Sequence, residues 1–407
     1  MFKYICILLA VLASEVFAKS MFPLPRLPNS CSQISVRRDI VSLPPEELQR
    51  FIRVVREMHR RGWMDGFGSM HDHISHQIHG NEQFFAWHRR FLRHFEILMQ
   101  EIDPGVMIPY WNWGTYWQSP VADPVLTSAF FGGNGRPGDN CVIEGAQARW
   151  GRNYPTRNCL TRRFRYGATT GAFWPMRAVR DVMNMATTHA QFRSRIENGA
   201  HGIVHLGLGG DFETMYAPVD VLFFLHHAMI DKIWAEWQSR DPLRYRMVDG
   251  YDSQRIPVTA NSLMPFYSEE VGTALATNGP GYCYVYDDIP AAPSGAMFKS
   301  TRRATFASFK AVFNGSSEQP AQNAAAEDME DDAAEAPVPA GTEFRVKHTF
   351  NDTMDFKPPS PMGAEWLRRR RMDVAEAARM QTLVNNVVAQ INAERRQQRV
   401  AANAKAV

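Results

Sequence analysis

The sequence has few cysteines, no long apolar segment and little net charge, and each shortage excludes a class of protein. Its 407 residues include five cysteines, and no two of them have the C-x-x-C spacing of a zinc site. No stretch reaches the roughly 20 apolar residues that a transmembrane helix needs. The formal net charge of +3 is small for this length, and no dense Lys/Arg face alternates with aromatic residues, which argues against a nucleic-acid partner.

The first 18 residues have the pattern of a secretion signal. Lys3 supplies a basic start, Ile5 to Leu12 is a short apolar run, and the small residue Ala18 stands at the expected cleavage position. A buried N-terminal helix is the alternative that this pattern leaves open. We therefore expect a secreted, extracellular protein with no membrane partner.

Secretion determines how the remaining cysteines are interpreted. In an oxidising compartment, Cys31, Cys141, Cys159 and Cys283 predict two disulfides, for which three connectivities are possible. Cys141 and Cys159 flank a loop rich in Gly, Arg and Asn, and we favour them as one pair.

Four segments repeat apolar residues at helical spacing and predict a mainly α fold. The first begins with a proline and acidic residues, and the second ends at Asp103-Pro104-Gly105, which are typical helix boundaries. The predicted helices span residues 44–61, 82–102, 176–197 and 222–238. Residues 114–172 are rich in Gly, Pro, Arg and Asn and predict surface loops, whereas residues 282–286 predict a strand.

Composition divides the mature chain into three parts. Residues 19–290 predict a core domain built on a four-helix bundle. Residues 291–342 predict a partly disordered linker, because their acidic, Ala- and Pro-rich composition cannot bury a core. Residues 343–407 predict a small C-terminal extension, with a strand within 343–357 and an Arg-rich helix from about Ala364 onward.

Histidines are concentrated in the middle of the chain. Twelve of the 13 histidines lie between His59 and His227. A buried imidazole has two ring nitrogens to satisfy, so a crowd of imidazoles is costly unless something binds them. The first cluster consists of His71, His73, His76, His79, His88 and His94, and the second of His201, His205, His226 and His227.

The second cluster has the spacing of a metal site. His201 and His205 are four residues apart, so both imidazoles lie on one face of a helix and can reach one ion. A third ligand is expected from the pair His226-His227. Adjacent helical residues point about 100° apart, so only one of that pair can face the same ion.

The first cluster supplies a second site of the same kind, in which eight residues separate His79 from His88. Three imidazoles per ion, with no cysteine or carboxylate, favour copper. Two such sites on facing helices of a bundle would hold two ions a few Å apart, an arrangement suited to a small bridging ligand.

The residues around both clusters resemble the signatures of the type 3 copper proteins, which comprise tyrosinases, catechol oxidases and molluscan haemocyanins. His79-x8-His88 with Trp87-His88-Arg89 resembles the first copper signature of that family. His201-x3-His205, followed by residues 220–238, resembles the second. Together with Tyr282-x-Tyr284, which is similar to the tyrosine motif that closes the family's core domain, the resemblance covers residues 45–286.

The resemblance implies a set of copper ligands. Copper B would be bound by His201, His205 and His227, because the second histidine of the adjacent pair is the ligand in the family. Copper A would be bound by His79, His88 and a preceding histidine in a loop or helix end. We favour His71 for that position and keep His73 and His76 as alternatives.

Other residues are expected to support these ligands. His226, Asp231 and Arg89 would orient the imidazoles. Glu197 would place a carboxylate near the site, with a surface position at the end of a helix as the alternative. Phe223 and neighbouring aromatics would hold the substrate ring by stacking. His59 and His94 are predicted to be structural. Gln77 occupies the position at which many family members have a cysteine bonded to a histidine, so that link is absent here.

The activity implied by the resemblance is the oxidation of o-diphenols to o-quinones by O2, with two copper ions per chain and a small phenol as substrate. Hydroxylation of monophenols is in doubt, because Gly202 stands where active monophenolases often have Asn. A reversible oxygen carrier like haemocyanin is the alternative, and a secreted copper-binding protein without turnover is a third reading. The sequence makes no prediction of oligomeric state.

The C-terminal extension is a candidate lid, since related enzymes often keep such a region over the copper site. The linker is long enough to let residues 343–407 fold back across the core. Trp366 and Leu367 are expected to lie on apolar surface, with Arg368-Arg369-Arg370-Arg371 exposed to proteases. A solvated surface helix, or an attachment to acidic partners, is the alternative.

Overall fold

A computed structural model describes residues 22–293, 295, 298 and 354–405. The predicted secretion signal and nearly all of the predicted linker lie outside the described residues. The strand expected within residues 343–357 also lies mostly outside them, and residues 354–357 form no strand. None of the described helices is long and apolar enough to span a membrane.

The core is a helical bundle, as predicted. Its central helices are α1 (Pro45–Arg60), α2 (Trp63–Ile78), α3 (Phe84–Ile102) and α7 (Leu222–Ser239). Helix α1 carries Pro45 and two glutamates in its first turn, where a missing N–H and negative charge are both favourable. Helices α3 and α7 are buried on nearly all sides and pack against each other, so they form the middle of the protein.

Helix α2 was not expected from the sequence. Its glycines Gly66 and Gly68 interrupt the apolar pattern, but both have a packing reason. A Cβ at Gly66 would meet the ring of Phe22, and one at Gly68 would meet Val219. Burial of its apolar face, which includes Trp63 and Phe67, compensates for the low helix propensity of these glycines.

The predicted helix 176–197 is divided into two. Helix α4 (Met176–Met185) is followed by its C-cap Ala186, and helix α5 (His189–Ile196) begins after Thr188, whose side chain accepts a hydrogen bond from the backbone N–H of Gln191. This N-cap satisfies a backbone donor that the turn leaves free. A five-residue π-helical turn (Glu197–His201) then leads into α6 (Gly202–Leu208).

Two short sheets and two disulfides stabilise the segments that connect the helices. Strand β1 (Ser35–Arg37) pairs in parallel with β4 (Tyr284–Tyr286), next to the disulfide Cys31–Cys283. Strand β2 (Gly151–Arg152) pairs with β3 (Asn158–Cys159), and the predicted disulfide Cys141–Cys159 is confirmed.

The prediction that residues 114–172 form surface loops was wrong in part. Phe131 and Arg162 of this region are fully buried, and Arg162 forms an ion pair with Asp220, two residues before α7. Apolar residues spread among glycines and arginines show no helical or strand period, so sequence alone did not reveal their burial.

The C-terminal residues are folded onto the core. Helix α8 (Ala364–Arg369) is followed by the long helix α9 (Val374–Lys405). Helix α9 packs against α4, α5 and the π-helical turn, and Met380, Val384 and Val388 are buried in the main core. The extension therefore shares its apolar core with the predicted bundle.

Candidate metal centre

The first histidine group comes from helices α2 and α3. His71 lies in the middle of α2, His79 directly follows the same helix, and His88 lies on α3. All three are buried, their ligand atoms lie within 4.8 Å of one another, and Nε2 of His71 is 3.2 Å from Nε2 of His88. His73 and His76 are exposed and do not belong to the group.

The second group comes from the π-helical turn, α6 and α7. His201 ends the turn, His205 lies one helical turn further on α6, and His226 and His227 are adjacent on α7. The four ligand atoms lie within 4.8 Å of one another, and Nε2 of His205 is 3.4 Å from Nε2 of His227. Geometry within this group therefore leaves both members of the adjacent pair within reach of an ion.

The two groups face each other. The rings of His88 and His227 are stacked with centroids 4.5 Å apart and planes at 11°. Phe84 lies between the groups, 4.8 Å from His88 and 5.0 Å from His201. His227 therefore points toward the first group, whereas the ring of His226 lies against His201 and Trp113.

Backbone carbonyls orient most of the imidazoles. In five of the six predicted ligands Nδ1 lies within hydrogen-bond distance of a carbonyl oxygen, which fixes the tautomer and leaves the Nε2 lone pair for a metal. The five pairs are His71–Met215, His79–Ser75, His88–Phe84, His201–Glu197 and His205–Phe212.

Unsatisfied nitrogens and electrostatics both fit a metal at this position. Nε2 of His201, both ring nitrogens of His226 and Nδ1 of His227 are buried without a hydrogen-bond partner among the described residues. Burial lowers the pKa of His79 to about 4 and that of His205 to about 3, so both imidazoles are neutral near pH 7. Neutral imidazoles without carboxylates or thiolates are a donor set that suits copper.

Arg89 and Asp231 do not contact the imidazoles among the described hydrogen bonds, so the expectation that they orient ligands directly needs correction. Nε of Arg89 donates to Asp231 at 2.6 Å, and its guanidinium lies 3.7 Å from the ring centre of Trp234. Asp231 also accepts hydrogen bonds from the hydroxyls of Tyr284 and Tyr286. This network joins α3, α7 and β4, and so fixes the helices that carry the histidines.

Glu197 is buried, which excludes the surface position considered for it. Its side chain is 0 % exposed and accepts hydrogen bonds from the backbone N–H of Gly80 and from Arg193. Burial raises the pKa of the Glu197 carboxyl, and the charge of Arg193 offsets part of that effect.

Phe223 is also fully buried, 4.1 Å from the ring of His227 and 5.1 Å from that of His71. It supports the imidazoles instead of offering a free face to a substrate. His94, buried and within hydrogen-bond distance of the Pro23 carbonyl oxygen, and His59, stacked on Trp150, lie outside both groups, as expected.

The C-terminal extension reaches the histidine groups at two glycines. Gly80 follows His79 with a φ of +68°, and a Cβ on it would lie 2.3 Å from the carbonyl oxygen of Arg371. Gly202 follows His201, and a Cβ there would lie 2.9 Å from Sδ of Met362 and 3.3 Å from Sδ of Met372.

The prediction that all four consecutive arginines of the extension are exposed was wrong for Arg370. Burial lowers the pKa of Arg370 to about 10, and its charge contributes to the lowered pKa values of His79 and His205. Arg368, Arg369 and Arg371 are exposed. Leu367 is buried as expected.

Comparisons with known proteins agree with this geometry. Residues 55–240 match the family described as the common central domain of tyrosinase. The chain is 34% identical over 236 residues to a tyrosinase of Streptomyces antibioticus, a match that covers 51% of this chain and 85% of the relative. It is 28% identical over 293 residues to grixazone synthase of Streptomyces griseus subsp. griseus, which covers 58% of this chain and 94% of the relative.

A solved structure of a polyphenol oxidase variant from Thermothelomyces thermophila has the same fold, with a TM-score of 0.55 and 20% identity, covering 64% of this chain and 90% of that one. The helical fold and the two buried histidine groups agree with a copper-dependent oxidoreductase, the class to which these relatives belong. The chain belongs to the tyrosinase family of type 3 copper proteins.

Proposed function

We propose that this enzyme oxidises o-diphenols to o-quinones with O2, using two copper ions. His71, His79 and His88 would bind one ion, and His201, His205 and His227 the other. The observation that carries the proposal is the facing pair of buried histidine groups, joined by the stacked rings of His88 and His227. Two ions held this way are suited to a small bridging ligand such as O2.

Bound copper would transfer electrons between the phenol and O2, and the protein would set where this happens. Backbone carbonyls hold the Nδ1 protons of five ligands, so the imidazoles keep one orientation throughout the reaction. Buried rings such as Phe84 and Phe223 exclude water around the ligands. The neutral state of the imidazoles near pH 7 avoids competition between protons and metal.

Gly202 determines which class of phenol we expect to be oxidised faster. A glycine offers no side-chain oxygen or amide to hold a water beside copper B, so the means to deprotonate a bound monophenol are reduced at this position. A catechol is already hydroxylated and needs only a two-electron oxidation. We therefore expect faster turnover of catechols than of monophenols.

The test is oxygen uptake by the copper-loaded full-length chain, with catechol and with a monophenol, together with the copper content per chain. Two coppers per chain and catechol-dependent uptake are expected. Copper binding without uptake for either phenol, including after removal of the extension, would favour a carrier of O2 and overturn the proposal. Absence of bound copper would overturn the ligand assignment.

We further propose that the C-terminal extension is a lid that lowers activity. It reaches Gly80 beside the first histidine group and Gly202 beside the second, and it places the charge of Arg370 near both groups. Arg165 holds the incoming segment by donating to the carbonyl oxygens of Ser360 and Pro361. A phenol approaching from this side would have to displace the segment.

Cleavage at a protease site inserted between residues 315 and 342, followed by removal of the released extension, is expected to raise catechol oxidation several-fold at constant copper content. Arg165→Ala should produce part of the same increase without cleavage. The matched control is Arg136→Ala, since Arg136 is also an arginine near the surface but pairs with Asp139 and makes no described contact with the extension. Unchanged activity after removal would overturn the lid proposal and leave the extension with a structural role only.

A further inference from the structure

A single buried glutamate joins the two histidine groups through the backbone. Oε1 of Glu197 accepts a hydrogen bond from the N–H of Gly80 at 2.8 Å, and Gly80 directly follows His79. The backbone carbonyl of Glu197 lies 3.3 Å from Nδ1 of His201. The residue therefore contacts the chain beside one predicted ligand of each copper.

A second buried carboxylate holds this glutamate through an arginine. Nη1 of Arg193 donates to Oε2 of Glu197 at 2.9 Å. Nε and Nη2 of the same arginine donate to Oε1 of Glu82 at 3.1 and 2.8 Å. Oε2 of Glu82 is 2.9 Å from Nδ1 of His189. All four side chains are buried.

These contacts run in series, so that Glu82 orients Arg193 and Arg193 orients Glu197. Two donors of one planar guanidinium reach a single carboxylate, which restricts the orientation of the guanidinium more than one bond would. The remaining nitrogen, Nη1, then fixes the second oxygen of Glu197. Because the first oxygen is bound to Gly80, the position of the guanidinium determines how far the chain at His79 lies from the chain at His201.

The backbone between α5 and His201 needs the constraint that Arg193 provides. His201 ends a π-helical turn that begins at Glu197, and such turns are less stable than regular α-helix and occur frequently at functional sites. Helix α5 ends directly before that turn, so its length does not by itself fix the orientation of His201. The bond between Arg193 and Glu197 spans one helical turn and links the end of α5 to the start of the π-helical turn.

We propose that Arg193 and Glu82 are positioning residues of the copper site, which act through Glu197 to set the separation of the two histidine groups. This proposal rests on the proposed function insofar as the histidines must bind copper. It differs from it in assigning a role to residues that touch neither metal nor substrate.

The test measures copper affinity by competition with a chelator, and the copper–copper distance by X-ray absorption, on the copper-loaded full-length protein. Arg193→Gln should weaken copper binding by roughly 10- to 100-fold, the range found when groups supporting metal ligands are removed, and should change the copper–copper distance. Glu82→Gln should shift both quantities in the same direction by less. Arg193→Lys, which keeps the charge, should recover part of the affinity.

The matched control is Arg162→Gln. Arg162 is also a fully buried arginine in an ion pair, with Asp220, but it makes no described contact with a histidine. It should lower the melting temperature and leave both copper quantities unchanged in the folded protein. If Arg193→Gln does not fold, Arg193→Lys and Glu82→Gln decide the question by the same two measurements.

Parent-like copper affinity and distance in the Arg193 and Glu82 variants would overturn the proposal, as would equal changes in Arg162→Gln. These results are distinct from failure of the proposed function, in which the parent protein itself would bind no copper or oxidise no phenol.

Discussion

The two histidine groups reach similar geometries by different routes. In the second group His201 and His205 are one helical turn apart, so local geometry alone places them together. In the first group His71, His79 and His88 come from the middle of one helix, its end and a second helix, and only packing unites them. The second group is therefore more readily predicted from sequence, and the first depends more on the fold.

The groups also differ in how completely their imidazoles are held. Every Nδ1 of the first group lies within hydrogen-bond distance of a backbone carbonyl, whereas His227 of the second has no such partner among the described residues. The second group contains an additional buried histidine, His226, with no described hydrogen bond at either nitrogen. We interpret the second group as locally organised but less constrained at α7.

The largest expected effect is the difference between replacing a predicted ligand of the first group and replacing an exposed histidine on the same helix. His71→Ala should remove copper from the first site and abolish catechol oxidation, because the remaining two imidazoles leave that ion with too few ligands. His73→Ala should retain copper and activity, since His73 is exposed on the same helix. Metal content and oxygen uptake measure both. The reverse outcome would move the copper A assignment to His73.

The second expected effect concerns the adjacent pair on α7. His227→Ala should abolish the near-ultraviolet absorption that copper(I)-loaded protein would acquire on exposure to O2, together with activity, because His227 faces the first group. His226→Ala should retain both the absorption and the activity, but lower them by roughly tenfold or more, as for other groups that support a ligand. Full activity in His227→Ala combined with complete loss in His226→Ala would exchange the two roles.

The smallest expected effect concerns Gly202, which directly follows His201 of the second group and faces the extension. Gly202→Asn should raise the monophenol rate more than the catechol rate, because an amide can hold a water beside the site. A side chain at this position also meets Met362, a flexible residue that can move aside. The ratio of the two rates should therefore be compared with and without the extension. An unchanged ratio in both backgrounds would contradict the role given to Gly202.

Sequence reasoning was most successful where periodicity, a family signature or two cysteines flanking one loop indicate a feature. The helical fold class, the family and the disulfide Cys141–Cys159 are confirmed. The division of the chain into domains and the choice of six copper ligands stay predictions, although the structure brings those six histidines together.

The errors lie where local patterns were interrupted or ambiguous. Helix α2 was not predicted because glycines interrupt the periodic pattern of its apolar residues. Those glycines are required because Phe22 and Val219 pack closely against them. The break before Thr188 was missed because apolar residues continue on both sides of it. Arg370 was expected in solvent together with three neighbouring arginines, because no local signal distinguishes it from them.

The sequence by itself indicated the chemistry: two clusters of imidazole donors, two of them one helical turn apart, and the signatures of one family. Only the tertiary structure decided which of the histidines on α2 faces inward, how Glu197 spans the two groups, and where the extension lies. The physical reason is the sequence separation over which each interaction acts. Helical periodicity relates residues three or four positions apart, whereas the bond from Gly80 to Glu197 joins residues 117 positions apart and exists only after the helices have packed.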